Sequence, residues 1–199
     1  MSVRKLRVLL LRLSSAPLVF LAIFVRPSWA VGSTEAVVVE FAGYLFLLAG
    51  LAVRMWSILY VGGRKSDELV TQGPYSLCRN PLYIGTFLLA IGAGLCFENL
   101  LMLVATLGVI LPAHVIATRL EERHLGEKFP REYPQYKAGV PRFWPRLRGY
   151  RSGPTVTVSV RAIRRVTVDT LAVLLIPEME DLLEVLHAHG IVPVLWYFP

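Results

Sequence analysis

The longest apolar run in the chain covers residues 36–61, and this run limits the possible folds more than any other feature. As a helix it would extend about 39 Å, which exceeds the roughly 30 Å hydrocarbon core of a membrane. Only 18% of the 199 residues are charged, whereas soluble proteins average about 25%. The chain therefore lacks the polar residues that would cover a soluble domain of this size, and we expect lipid to surround part of it.

Three further apolar runs follow the same pattern. Residues 6–25 open with basic residues and resemble a signal peptide, but Arg26 and Pro27 follow in place of a small-residue cleavage site, so we expect a retained anchor. Residues 82–97 and 99–118 meet at Glu98 and Asn99, and so short a link predicts an antiparallel helical hairpin. The sequence thus predicts an all-α integral membrane protein with four transmembrane helices.

The basic residues predict how these helices are oriented. Lysine and arginine are concentrated at the N-terminus, between residues 62 and 80, and after residue 118, whereas the connections after the first and third runs have almost none. This alternation of basic and non-basic connections is the pattern of the positive-inside rule. We therefore expect a multi-pass protein whose N-terminus, residues 62–80 and tail are cytoplasmic. The formal charge of +7 would hold the basic region after residue 118 against anionic lipid. Nucleic-acid binding is disfavoured, because these basic residues follow a membrane hairpin and alternate with prolines and aromatic residues.

The segment LVTQGPYSLCRNPLYIG, residues 69–85, is polar although it lies between two apolar runs. Gly73 and Pro74 predict a turn, which leaves Leu69 to Tyr75 as an extended strap. Asn80 followed by Pro81 predicts the N-cap and first residue of the next helix. The positive end of that helix, together with the Arg79 guanidinium, could bind a carboxylate. The alternative is that arginine and tyrosine simply anchor this boundary in the membrane interface.

Two glutamates, Glu121 and Glu122, follow the fourth apolar run. Acidic residues are unfavourable at a helix C-terminus, so we expect the chain to continue as a short interfacial helix over residues 121–129. The alternative is an ordinary solvated helix face with local pairs, such as Glu122 with Arg119 or Arg123.

The strap, the hairpin and a segment with the pattern EE-x-x-L-x-x-x-F, Tyr133, Tyr136 and VPRFWP occur in a characteristic order. Over residues 40–147 the chain therefore resembles the isoprenylcysteine carboxyl methyltransferase family, which includes related phospholipid methyltransferases and bacterial members. The resemblance implies methyl transfer from S-adenosylmethionine to a lipophilic acceptor at the cytoplasmic membrane face, without a metal. A polar strap where the chain re-enters the membrane would then be a wall of the cofactor site.

The resemblance also implies site residues. The family's cofactor contacts, carried over by position, fall on Asp67, Glu68, Leu69, Val70, Tyr75, Asn80, Pro81, Leu82, Tyr83 and Glu121. The strap would hold the adenosine, and Glu121 would neutralise the ammonium group of the cofactor. The chain departs from the family at Asn80, where prenylcysteine enzymes usually have histidine, and near Ala117, where their substrate-binding arginine would fall.

Because that arginine is missing, the acceptor stays open among a prenylcysteine carboxylate, a phospholipid amine and another lipophilic acid or thiol. Arg79 and Arg54 are the candidate catalytic residues that could bind an acceptor carboxylate. Arg54 lies inside the second run, where an ionisable residue is a functional hypothesis by default, although snorkelling to the interface is an equal alternative. His187 and His189 would lie on opposing helix faces and do not predict a metal site.

The resemblance ends near residue 150, so we divide the chain into a methyltransferase domain, residues 1–150, and a tail, residues 151–199. Residues 155–160 alternate like a strand without an evident partner, and Pro177 to Gly190 predicts a helix. We expect the tail to lie on the membrane or to pack on the core. A fifth span over residues 171–198 is disfavoured by four acidic residues within it.

Two other classes of protein remain open at this point. Some membrane sterol reductases share a similar helix start and a related bundle but bind a nicotinamide cofactor. A non-catalytic membrane protein that retains the fold is the third class, although the complete strap and glutamate pair disfavour it.

Overall fold

A computed structural model of the protein describes residues 16–29, 32–62 and 68–198. Residues 16–24 are helical. The elements that follow, in chain order, are β1 (Val25–Pro27), α1 (Thr34–Val61), α2 (Pro74–Leu77), α3 (Pro81–Leu95), α4 (Leu100–Lys128), α5 (Glu132–Gly139), a 3-10 turn (Leu147–Gly149), α6 (Val160–Leu174), α7 (Ile176–Ala188) and β2 (Trp196–Phe198). The mostly helical architecture predicted from the sequence is confirmed.

In the part of the chain that the structure describes, two helices, α1 and α4, are long and apolar enough to cross a membrane. Both carry large apolar side chains that face outward, among them Phe41 and Val104, as expected of helices surrounded by lipid. Helix α3 is apolar but has only 15 residues. The first predicted span falls partly outside the described residues, so the count of four or five spans stays a prediction.

The predicted helical hairpin is confirmed. Asn99 begins α4 by accepting hydrogen bonds at its side-chain oxygen from the backbone N–H groups of Leu101 (2.8 Å) and Met102 (3.4 Å). Gly94 of α3 lies so close to Leu103 of α4 that a Cβ atom there would come within 2.7 Å of the Leu103 Cα atom. Helix α4 then continues without interruption to Lys128, so the residues after the fourth apolar run extend the same helix instead of forming a separate one.

Contacts divide the chain into two compact units, and the first comprises Met1–Leu47, Leu89–Ala113 and Val173–Pro199. Its buried core contains Leu47, Leu89 and Cys96, against which side chains such as Leu174 pack. Strand β2 pairs in parallel with β1, so Trp196 to Phe198 lie beside Val25 to Pro27. The end of the tail therefore packs on the connection that follows residues 16–24.

The second unit comprises Leu48–Leu88 and His114–Ala172. Its core consists of Ile58 and Val61 from the end of α1, Tyr75 from α2 and Val166 from α6. Residues 155–159, directly before α6, are irregular and form no strand, and the helix begins at Val160. Within this unit, the tail packs on the core through the first half of α6.

Candidate active site

The polar segment after α1 is held by a glycine that no other residue could replace without strain. Gly73 has a φ angle of 60°, and a Cβ atom at this position would lie 2.4 Å from the Tyr60 ring. Pro74 then begins α2, a helix of four residues that includes Tyr75. The predicted strap is therefore correct for Leu69 to Gly73 but wrong for Tyr75, because proline at the first helical position favours a helical turn there.

The second unit contains a cavity with about 570 Å³ of empty space, part of it open to solvent. Among the predicted site residues, it is lined by Glu68, Leu69, Val70, Tyr75, Arg79, Asn80, Leu82, Tyr83 and Glu121. Val61, Leu125 and Tyr136 complete the lining. The structure thus brings most of the predicted set around one space. Pro81 is buried at the start of α3 and does not line this cavity, and Asp67 lies outside the described residues.

Glu121 lies on α4 and is half-buried in the cavity wall. The Tyr83 hydroxyl donates a hydrogen bond to its carboxylate at 3.0 Å. The Tyr83 ring also packs edge-on against His114 of α4, with 5.3 Å between the ring centres. These contacts fix the position of a carboxylate that faces the cavity.

Glu122, the next residue, is buried and binds three polar side chains. Arg142 donates to both of its oxygens at 2.7–3.2 Å, and the Asn80 amide nitrogen donates at 3.3 Å. A terminal nitrogen of Arg79 lies 3.3 Å from the same carboxylate. The expected alternative of a local pair with Arg123 is wrong in the structure, since Arg123 pairs with Glu127 instead.

Arg79 lines the cavity, but most of its guanidinium is already engaged. One terminal nitrogen contacts Glu122 and the other donates to the Lys137 carbonyl at 3.4 Å. Its Nε atom is buried and has no hydrogen-bond partner among the described residues. Contacts within the protein thus engage both terminal nitrogens of Arg79, so its guanidinium is less free to bind a ligand than we expected.

Asn80 combines two functions. Helix α3 begins at Pro81, as predicted, and the Asn80 carbonyl accepts from the backbone N–H groups of Tyr83 (3.1 Å) and Ile84 (3.2 Å). Its side-chain amide nitrogen donates to Glu122 and to the carbonyl of Arg142 (3.2 Å). The start of α3 is thus fastened to both α4 and the chain after α5.

Arg54 lies apart from these groups and is not among the residues that line the cavity. Its guanidinium donates to the hydroxyl groups of Thr86 on α3 (2.6 Å) and Thr170 on α6 (3.3 Å). A Cβ atom on Gly85 would lie 2.6 Å from the Arg54 side chain, so the two helices approach closely here. In this geometry Arg54 connects three helices of the second unit.

The tyrosines around the cavity stay protonated at neutral pH. Burial raises the pKa of Tyr75 well above its usual value, and the nearby Glu121 raises it further. Burial likewise raises the pKa of Tyr136 and that of Tyr133 to about 12. These hydroxyl groups are therefore hydrogen-bond donors and not bases, as at Tyr136, which donates to the Tyr75 carbonyl at 2.8 Å.

Several residues of the site were not expected in these positions. Tyr136 and Arg142 follow α4 in the chain. Both belong to the sequence pattern that resembles the methyltransferase family, but neither was predicted to lie in the site. Glu122 was treated as a solvated residue. The sequence did contain one signal that the two adjacent glutamates differ. Neighbouring residues of a helix point about 100° apart, so the two carboxylates should face different surroundings.

The chain matches one family model and several known proteins. Residues 38–132 match the sequence model of the phospholipid methyltransferase family. The chain is 37% identical over 141 residues to the cobalt-zinc-cadmium resistance protein CzcN of Cupriavidus metallidurans, covering 69% of this chain and 63% of CzcN. It is 37% identical to the nickel-cobalt-cadmium resistance protein NccN of Alcaligenes xylosoxydans, covering 65% and 60% of the two chains.

A third relative is the protein-S-isoprenylcysteine O-methyltransferase of Saccharomyces cerevisiae, which is 41% identical over 78 residues, or 39% of this chain and 33% of the yeast protein. No solved structure gives a significant match. The matches confirm the resemblance to the isoprenylcysteine carboxyl methyltransferase and phospholipid methyltransferase family, and the two bacterial relatives fit a bacterial-type member. The chain spans about three fifths of the length of its two metal-resistance relatives.

Proposed function

We propose that this protein transfers a methyl group from S-adenosylmethionine to a lipophilic acceptor at the cytoplasmic face of a membrane. The observation that carries the proposal is the cavity lined by Glu121 and Arg79 in the second unit. It combines an apolar wall with an accessible carboxylate, Glu121, and a buried arginine donor, Arg79. These groups belong to the region that matches methyltransferases.

The lining fits the chemistry of this cofactor. S-adenosylmethionine has an ammonium group and a positively charged sulfonium, and Glu121 and Glu68 supply carboxylates that favour such charges. Leu69, Val70 and Val61 supply apolar surface for an adenine ring. When bound, the cofactor would supply an electrophilic methyl group; the protein residues would orient it and exclude water.

Arg79 remains our candidate for binding an acceptor carboxylate, through its Nε donor. A carboxylate acceptor carries no proton to remove, so it needs orientation and no base. The protonated tyrosines of the cavity can supply hydrogen bonds to such an acceptor. We therefore favour carboxyl O-methylation. Phospholipid amine N-methylation is the alternative, and the matching family model favours it.

A nicotinamide-dependent reductase is less consistent with this site. The pyrophosphate of a nicotinamide dinucleotide would meet the carboxylates of Glu68 and Glu121, while Arg79 is partly neutralised by Glu122. The methyltransferase relatives also favour the transferase chemistry.

The names of two relatives concern metal resistance, but the site gives no reason to propose metal binding. Within the described residues, the carboxylates of Glu180, Asp181 and Glu184 are close enough together to hold an ion. Arg26 already binds two of them, Glu180 at 2.6 Å and Glu184 at 3.0 Å. We therefore propose methyl transfer alone.

The test is to incubate membranes containing the protein with methyl-labelled S-adenosylmethionine and to extract the lipids. We expect label in the lipid fraction, released by mild base if the product is a carboxyl ester. Label that is stable to base would exclude the ester and leave an amine or a thiol as the acceptor. Membranes that contain the protein but incorporate no more label than membranes without it would contradict the proposal.

The orientation can be tested separately by cysteine accessibility. The proposed topology predicts that a cysteine at Ser33 reacts with an impermeant reagent from the non-cytoplasmic side, whereas a cysteine at Ser66 is protected in intact cells. Both introduced cysteines lie outside the apolar runs, so a difference in labelling between them reports the side of the membrane on which each one lies. Labelling of both from one side would disprove the topology.

A further inference from the structure

The chain after α5 carries an unusual concentration of one charge. Residues 141–165, which we call the arginine segment, contain seven arginines and no acidic residue. Arg142 binds Glu122. The remaining six, Arg146, Arg148, Arg151, Arg161, Arg164 and Arg165, are all exposed. Such a surface requires a partner that is itself strongly negative.

The same segment exposes large apolar side chains between its arginines. Trp144 is 88% exposed, Leu147 is 77% exposed and Val160 is 76% exposed. A partner that only neutralised the arginines would leave these side chains in water. A bilayer surface satisfies both, because tryptophan and leucine insert at the headgroup boundary while arginine binds phosphate.

The arginine segment is also attached to the wall of the candidate active site. The Pro141 carbonyl accepts from the Arg79 N–H (2.8 Å), and the Arg146 N–H donates to the Leu77 carbonyl (3.0 Å). Further along, the Gly73 N–H donates to the Arg151 carbonyl at 2.7 Å. Residues 141–151 thus follow the backbone of residues 73–79, from which Tyr75 and Arg79 line the cavity.

We propose that the arginine segment binds the headgroups of anionic phospholipids, and that this contact orders the wall of the cofactor cavity. The first part of this proposal, that the segment docks on anionic lipid, depends on the charge and exposure of the segment. The second part, that docking is coupled to the cofactor cavity, rests on the proposed methyltransferase function. We call these parts the docking half and the coupling half. Lipid that holds residues 141–151 in place reduces the freedom of residues 73–79 through the shared backbone hydrogen bonds, so cofactor affinity should depend on anionic lipid.

Tryptophan quenching tests the docking half without using the enzymatic activity. The full chain is reconstituted in phosphatidylcholine vesicles that contain equal amounts of either brominated phosphatidylglycerol or brominated phosphatidylcholine. The part of the fluorescence quenching that is due to Trp144 is obtained by subtracting the quenching of the Trp144→Phe variant from that of the wild type. We expect brominated phosphatidylglycerol to quench Trp144 more strongly. In the double variant Arg146→Gln/Arg148→Gln, the preference of Trp144 for brominated phosphatidylglycerol over brominated phosphatidylcholine should decrease. Each arginine near an anionic surface contributes about 1 kcal/mol, so we expect a decrease of about fivefold for each arginine removed.

The matched control is Arg119→Gln/Arg123→Gln, which removes two exposed arginines of α4 outside the segment. It should keep the quenching preference, and circular dichroism should show both double variants folded. Equal quenching of Trp144 by the two brominated lipids would overturn the docking proposal. A loss of preference in the control variant equal to that in the segment variant would do the same.

Calorimetry tests the coupling half. The dissociation constant of S-adenosylmethionine is measured in nanodiscs of phosphatidylcholine with and without phosphatidylglycerol, and we expect tighter binding with the anionic lipid. A quenching preference accompanied by an unchanged dissociation constant would overturn the coupling. Absence of cofactor binding in every lipid would instead overturn the proposed function and the coupling with it, while the quenching result would still decide the docking.

Discussion

The two compact units each contain a buried cluster of arginine and glutamate, and the two clusters have opposite composition. In the first unit one arginine, Arg26, binds two carboxylates, those of Glu180 and Glu184. In the second unit one carboxylate, that of Glu122, binds two arginines, Arg79 and Arg142. The first cluster therefore has an excess of negative charge and the second an excess of positive charge.

The difference indicates what each cluster can do. Arg26 and Glu180 are 154 residues apart in the chain and join β1 to α7, so that cluster connects distant segments. In the second unit Arg79 also lines the cavity, and its buried Nε atom has no hydrogen-bond partner among the described residues. We infer that the first cluster has a structural role and the second supports a site.

The largest expected effect is that of Glu122→Ala. This change leaves Arg79 buried without its carboxylate, and breaking a buried ion pair usually costs about 3–5 kcal/mol. The exposed part of Arg142 places the cost near the lower end of that range. Unfolding of the variant and the wild type in detergent, monitored by circular dichroism, should show this decrease in the free energy of unfolding.

Glu127→Ala is the matched control, because Glu127 belongs to an exposed pair with Arg123 on the same helix. It should change the free energy of unfolding by no more than about 0.5 kcal/mol. Equal destabilisation by the two variants would show that the Glu122 cluster contributes nothing special to the second unit.

The second prediction concerns the pH dependence of the first unit. Burial raises the pKa of Glu180 from 4.5 to about 7, and Arg26 offsets this only in part. Between those values the folded state binds a proton that the unfolded state does not, so the free energy of unfolding decreases as pH rises from about 4.5 through 7. At about 1.4 kcal/mol per pKa unit the full shift would amount to about 3 kcal/mol, and solvent screening of the carboxyl group reduces the change below that value.

Glu180→Gln should remove most of this pH dependence, since glutamine resembles the protonated carboxyl group at every pH. Glu178→Gln, an exposed neighbour on α7, should keep it. Amide hydrogen exchange of residues 196–198 at several pH values measures the effect locally. A wild-type protein whose exchange protection does not decrease across this range would refute the prediction.

The third prediction distinguishes the adjacent glutamates. Glu121→Ala should leave the protein folded but remove a charge-assisted contact to the cofactor, which costs roughly 1.5–3 kcal/mol. Calorimetry should therefore show an affinity for S-adenosylmethionine that is about ten- to a hundred-fold lower. Unchanged affinity would exclude Glu121 from the site and would favour a packing role like that of Glu122.

The smallest effect separates the two arginines that we considered for the acceptor. Arg79→Lys keeps a charge but loses the Nε donor, so turnover should fall about tenfold, or about 1.4 kcal/mol, with little change in cofactor affinity. Arg54→Lys loses a hydrogen bond to Thr86 or Thr170, which should cost about 1 kcal/mol of stability while turnover is kept. Turnover that falls only in Arg54→Lys would reverse the assignment.

The sequence alone determined part of the local structure of this protein, above all its long helices. Apolar runs predicted the helices, the short link at Glu98 and Asn99 predicted the hairpin, and Pro81 predicted the start of α3. These features depend on hydrophobicity, on chain length and on the conformation of a single proline, all of which can be read from neighbouring residues. The helix from Ile176 to Ala188 was predicted in the same way.

Tertiary structure decided which polar groups are partners. The sequence could not show that Glu122 binds Arg142, 20 residues away, while Glu121 faces a cavity, because both are glutamates on one exposed-looking stretch. Nor could it show that residues 196–198 pair with residues 25–27. Such contacts are fixed by the folded path of the chain, since a buried charge takes whatever partner the packing of distant segments brings within hydrogen-bonding distance.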